Sequence, residues 1–124
     1  MIDAEPMLSE NFTRAEMECP CCFQCIILPD FMFRLQRLRT KMDRPMYVNS
    51  GFRCPLHNTA IGGAKKSRHL EGIAADISVI DWTSAEKYEC LALAIELGFK
   101  GIGIYERFFH FDMRPGAGKL WASL

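Results

Sequence analysis

Ser67-Arg68-His69-Leu70-Glu71-Gly72-Ile73-Ala74-Ala75-Asp76 leads from a polar loop into an apolar, β-branched run that ends at Ile80. The run over residues 73–80 predicts a strand. Gly72 and Ala74 are small enough for close backbone approach. Side chains alternate across a strand, so Ala74, Asp76 and Ser78 share one face and Ala75, Ile77 and Val79 the other. A histidine in the loop and an aspartate on the strand then stand at the same end of the element.

A second stretch has the same alternation. In Phe108-Phe109-His110-Phe111-Asp112-Met113-Arg114, His110, Asp112 and Arg114 fall on one face and Phe109, Phe111 and Met113 on the other. The aromatic face can bury against helices while the polar face builds a site. A lone strand histidine is usually a core or surface residue. The combination of a spaced His and Asp with a second polar strand face points instead to a metal. Imidazole and carboxylate both bind zinc, and a catalytic zinc needs three protein ligands and one open position.

The remaining elements follow from periodicity and punctuation. Thr13 and Glu16 have capping-box spacing, so a short helix begins near Arg14. Phe31, Leu35, Leu38 and Met42 recur at helical intervals behind Pro29 and Asp30, which predicts a helix over 29–42. Residues 46–49 are a short strand candidate. Residues 50–68, with Gly51, Pro55, Asn58, Gly62 and Gly63, read as a long loop or a loop with a helical turn. Thr83 and Glu86 form a second capping box. Leu91, Ala94, Ile95 and Leu97 supply that helix's buried face, and Gly98 its C-terminal cap. Residues 101–105 and 109–114 form a hairpin turning near Arg107, and the tail from Pro115 reads as loop. The order implies an α+β fold of one domain over residues 1–124, a small, mainly antiparallel sheet packed with helices.

Fifteen basic residues balance fifteen acidic ones, so composition supplies no field for nucleic acid. No stretch is long and apolar enough to span a membrane. Residues 1–10 carry Asp3, Glu5 and Glu10 and lack a basic start before an apolar run, so they do not read as a signal peptide. The expectation is synthesis in a cytoplasm.

Six cysteines are many for this length. Cys19, Cys21, Cys22 and Cys25 cluster, and Cys22 and Cys25 have two-residue zinc-knuckle spacing. No matched second pair follows, since Cys54 and Cys90 are isolated and read as packing thiols. Reduced thiols, one disulfide and a second zinc all remain open for the cluster. His57 reads as a surface residue. The Arg34, Arg37, Arg39 and Lys41 face reads as solvated, with contact to an anionic polymer as the alternative.

Ser67-x-His69-x-x-Gly72-x-Ala74-x-Asp76 resembles the signature of the zinc D-Ala-D-Ala carboxypeptidases and their relatives, the L-alanyl-D-glutamate endolysins. The resemblance extends over nearly the whole chain. It takes in Asn11-Phe12-Thr13, the cysteine-rich stretch, Leu35-Gln36-Arg37-Leu38-Arg39, Val48-Asn49-Ser50-Gly51-Phe52-Arg53, Asn58 with Gly62-Gly63-Ala64, and Gly103-Ile104-Tyr105 before His110-Phe111-Asp112. These blocks occur in the order found in short, single-domain, phage-type members. The resemblance implies a hedgehog/D,D-peptidase-like fold with the zinc site on the open sheet face.

It also implies roles. His69, Asp76 and His110 would bind zinc. Arg53 would hold a substrate carboxylate or a developing oxyanion, with a loop-tying salt bridge as its alternative. Ser67 and Tyr105 would contact substrate, and Ser67 could equally cap its loop. Many relatives place an acid three residues before the last zinc histidine, or a histidine two before it. Here those positions are Arg107 and Phe108. Two carboxylates remain as the base: Asp112, on the His110 strand face, and Glu106, in the turn. Asp112 could instead orient a ligand histidine, and Glu106 could be a solvated turn charge.

The expected function is hydrolysis beside a D-amino acid in the stem peptide of peptidoglycan, by a monomer, as a carboxypeptidase or an endopeptidase. Action on the cell wall or periplasm would follow release, as for a phage-encoded enzyme, and the lack of a wall-binding segment favours a freely diffusing module. The alternatives are a zinc-binding structural or virion-associated module without turnover and a cysteine-rich zinc protein that binds nucleic acid. The neutral charge opposes the latter.

Overall fold

The computed structural model describes residues 6–124. The reading of residues 1–10 as no signal segment falls partly on residues 1–5, outside the described residues. Among the described residues, no helix is long and apolar enough to cross a membrane.

Both capping boxes form. Thr13 accepts from the Glu16 backbone N–H at the start of helix α1 (Arg14–Met17), and Thr83 accepts from that of Glu86 at the start of α4 (Ser84–Glu96). Helix α2 (Pro29–Met42) starts on Pro29, whose missing N–H costs nothing in a first turn. It buries Phe31, Met32, Leu35, Leu38 and Met42. The loop expected over 50–68 contains a short helix, α3 (Pro55–Ala60), and a 3-10 turn (Arg68–Glu71) precedes the second strand. Within α4 the buried residues are Cys90 and Ala94, whereas Ile95 is 64% exposed. Leu91 and Leu97 pack against the core as expected, and Cys90 takes the buried place expected of Ile95.

Five strands form one mixed sheet in the order β1 (Val48–Ser50), β2 (Ala74–Ser78), β4 (Phe108–Asp112), β3 (Gly101–Tyr105), β5 (Lys119–Ser123). The first three pairings are antiparallel, and β5 runs parallel to β3. The tail read as loop is thus partly strand. Its pattern is weakly apolar, and its partner lies far back in the chain, so no local signal marks it.

The alternation read from the sequence holds. Ala75, Ile77, Phe109 and Phe111 enter a core with α2, and with Cys90 and Ala94 of α4. Helices cover this face of the sheet. The register sets Asp76 opposite His110 and Ala74 opposite Asp112 on the uncovered face.

Candidate metal centre and cleft

His69, Asp76 and His110 come together on the uncovered sheet face, each nearly buried. His69 Nε2 lies 3.2 Å from Asp76 Oδ1, and His110 Nδ1 lies 2.9 Å from the same oxygen. Register delivers the strand pair, and the 3-10 turn delivers His69. Ser67 caps this turn by accepting from the His69 backbone N–H at 3.3 Å. The capping alternative for Ser67 is therefore realised, although the residue also lines the cleft.

Each imidazole has an acceptor behind it. His69 Nδ1 is 2.7 Å from the Gly51 carbonyl, and His110 Nε2 is 2.7 Å from Asp112 Oδ2. These contacts assign the outer nitrogens as N–H donors, so the inner nitrogens facing Asp76 are the ones that would give up a proton to a metal. Two ring nitrogens and a carboxylate oxygen are a three-ligand zinc set. Bonds of about 2.1 Å in a tetrahedron place ligand atoms about 3.4 Å apart, close to the spacings found. The residues fit the metal.

Electrostatics agree. Burial alone would raise the Asp76 pKa, but the hydrogen bonds of His110 and His69 outweigh it and hold the carboxyl well below the usual range. Burial would lower the pKa of His110, and the flanking Asp112 and Asp76 instead raise it. Asp112 is likewise held low, burial being outweighed by His110 and Arg114.

The site floors an open cleft of about 480 Å³. Arg53, Lys66, Arg68 and Arg114 line it with positive charge, and Tyr105, Phe108 and Trp121 supply an aromatic wall. Arg53 donates to Ser50 Oγ at 3.1 Å and Asn58 Oδ1 at 3.2 Å, and its guanidinium lies 3.5 Å from Asp76 Oδ2. Tyr105 stacks on Phe108 and accepts from Trp121 Nε1 at 2.9 Å.

The two carboxylates considered as bases stand elsewhere. Asp112 is fully buried behind His110. It accepts from His110 and, at both oxygens, from Arg114, whose backbone N–H adds a further bond at 3.0 Å. It does not line the cleft. Glu106 is exposed on the other side of the hairpin, beside Lys87 and Tyr88. Among the described residues, Asp76 is the one carboxylate lining the cleft.

Several contributors escaped the sequence reading. Trp121 arrives on β5. A Cβ on Gly101 would overlap the Asp112 carboxyl, and one on Gly103 the Trp121 ring, so these β3 glycines make room for the site. The spacing of two glycines on a strand beside a histidine strand was the available signal. The cysteines also group differently. Cys54, read as a packing thiol, joins Cys19, Cys21 and Cys22, while Cys25 packs against the core.

A chain similar to this one is the zinc D-Ala-D-Ala carboxypeptidase of Streptomyces albus G, 35% identical over 97 residues. The alignment covers 74% of this chain and 36% of that relative, so the chain spans about a third of its length. A family model described as Peptidase M15 matches residues 10–112, from ahead of α1 to the end of β4, and on that match the chain belongs to the peptidase M15 family.

Proposed function

We propose that this chain is a zinc-dependent peptidase acting beside D-amino acids in peptidoglycan stem peptides, with His69, Asp76 and His110 as the metal ligands. The observation that carries the reading is the convergence of three ligand atoms on one point of a cationic cleft. The name of the Streptomyces relative supports the substrate class. Zinc held there would polarise the scissile carbonyl and acidify a water molecule.

The protein's own groups would do the rest. Arg53 would present its guanidinium to the substrate, either to a terminal carboxylate or to the carbonyl oxygen as charge develops. Lys66 and Arg68 would attract an anionic peptide end. Tyr105, Phe108 and Trp121 would pack against small apolar side chains such as alanine methyls. Asp112 would act as a positioning residue that orients His110, not as the base. Glu106, facing away, would take no part.

The lack of a second carboxylate in the cleft, among the described residues, favours one further reading: a zinc-binding module that retains substrate recognition without turnover. One experiment separates the two. Zinc-loaded protein is incubated with a stem peptide ending in D-Ala-D-Ala and with intact peptidoglycan, and released amines are counted. The peptidase reading expects release from at least one substrate, abolished by a chelator and by His69→Ala. Full metal occupancy with no release from either would replace it with the second reading.

A further inference from the structure

Cys19, Cys21, Cys22 and Cys54 lie outside the cleft and take no part in the proposed chemistry. Their sulfurs nonetheless converge, with all four within 4.8 Å of one another. Cys19 and Cys21 Sγ are 3.6 Å apart, and Cys21 and Cys54 Sγ are 3.3 Å apart, although Cys54 lies 33 residues further along the chain. A tetrahedron of thiolates around zinc, with bonds of about 2.3 Å, has sulfur–sulfur edges of about 3.8 Å. We propose that these four cysteines form a second, structural zinc site, closed by four thiolates.

The local backbone suits that role. Cys19 and Cys22 have two-residue spacing, within the range of structural zinc pairs. The turn between them is tied by Cys19 N–H to the Gln24 carbonyl at 2.7 Å and by Phe23 N–H to the Cys19 carbonyl at 2.8 Å. Phe23 takes a left-handed φ of 63°, which a bulky residue adopts only when its surroundings demand it. Backbone N–H groups point at the sulfurs: Cys54 N–H lies 3.5 Å from Cys19 Sγ, and His57 N–H lies 3.4 Å from Cys54 Sγ. Such donors are the outer partners that fix the orientation of a ligand atom. Cys19 and Cys54 are buried, while Cys21 and Cys22 are exposed and leave a path for the ion. Four sulfurs meeting at one point also exceed what a disulfide uses.

The site would tie two segments of the chain together. One is the loop after α1. The other is Gly51-Phe52-Arg53-Cys54, in which the Gly51 carbonyl holds His69, Phe52 N–H donates to the Met17 carbonyl at 2.8 Å, and Arg53 faces Asp76. Zinc at the thiolates would anchor the base of the segment that shapes the cleft.

The test is independent of peptidase activity. The full chain is purified under reducing conditions and its metal counted by native mass spectrometry. The His69→Ala variant should keep one zinc, and a further Cys54→Ser change should remove it. Cobalt(II) added to the metal-free wild-type chain should give intense thiolate-to-cobalt charge-transfer absorption, a signature that ligands of nitrogen and oxygen do not produce. This second readout stands even if a variant fails to fold. A His69→Ala chain that is folded and metal-free, a cobalt chain without charge-transfer absorption, or a mass deficit showing disulfides in place of metal would each overturn the proposal.

Discussion

The carboxylate of Asp112 sits 2.7 Å from His110 Nε2, on the side of the ring away from Asp76. One strand thus carries both a histidine of the candidate metal site and the group that orients its ring, two residues apart on the same face. Arg114, again two residues on, clamps that carboxylate at both oxygens. Asp112→Asn keeps the shape but weakens the orienting bond. Zinc affinity at the histidine site should fall by about 10- to 100-fold, as when a ligand's outer partner is removed. Competition against a coloured chelator measures this. Unchanged affinity would show that Asp112 does not act through His110.

Gly101→Ala places a methyl against the Asp112 carboxyl, which has four bonds holding it in place. The carboxyl cannot step aside cheaply. Stability should drop by about 1–3 kcal/mol, the usual cost of overpacking. Urea unfolding of the two proteins gives the difference, and zinc affinity should fall with it.

Proton linkage follows from His110. In the metal-free protein its pKa lies above the ordinary 6.5, because its two carboxylate partners outweigh burial. A raised histidine stabilises the fold fully below 6.5, and this contribution is lost as pH rises through the folded value. Zinc requires the neutral ring, so binding near pH 6.5 should release a proton. Affinity should climb up to about tenfold per pH unit until the raised pKa is passed, then flatten. Calorimetry in two buffers of different ionisation heat, on chains with the thiol cluster already loaded, reads the proton count. No proton release near pH 6.5 would contradict the raised pKa.

Arg53→Ala removes the cation nearest Asp76 in the cleft, along with its bonds to Ser50 and Asn58. Loss of a charged hydrogen bond of about 1.5–3 kcal/mol corresponds to a fall of roughly 10- to 100-fold in kcat/KM. Arg53→Lys should recover little, because an ammonium cannot reproduce the guanidinium fork. Steady-state kinetics on a peptide with a free carboxyl terminus, and on its amide, would separate carboxylate binding from oxyanion stabilisation.

Glu106→Gln should leave turnover unchanged, since the residue is absent from the cleft lining and borders a separate depression shared with Lys87 and Tyr88. Parallel rate measurements with the wild type suffice. A large loss would return Glu106 to the reaction and require the hairpin to move.

Much of this protein is local enough to read directly. Strand alternation put Asp76 and His110 on polar faces, and the capping boxes at Thr13 and Thr83 marked two helix starts, because each rule needs only a few neighbouring residues. The spacing of His69 and Asp76 marked the loop-to-strand stretch, and motif resemblance added the family. The tertiary structure decided what depended on distant partners. It turned Asp112 inward behind His110 and pointed Glu106 away, and only the packing of sheet against loop selects those orientations. It made residues 119–123 a strand, because parallel pairing with β3 is long-range and leaves no turn signal. It also brought Cys54 to Cys19, Cys21 and Cys22 while leaving Cys25 on the core, since chain spacing cannot say which thiols meet when the loops that carry them are folded onto one another.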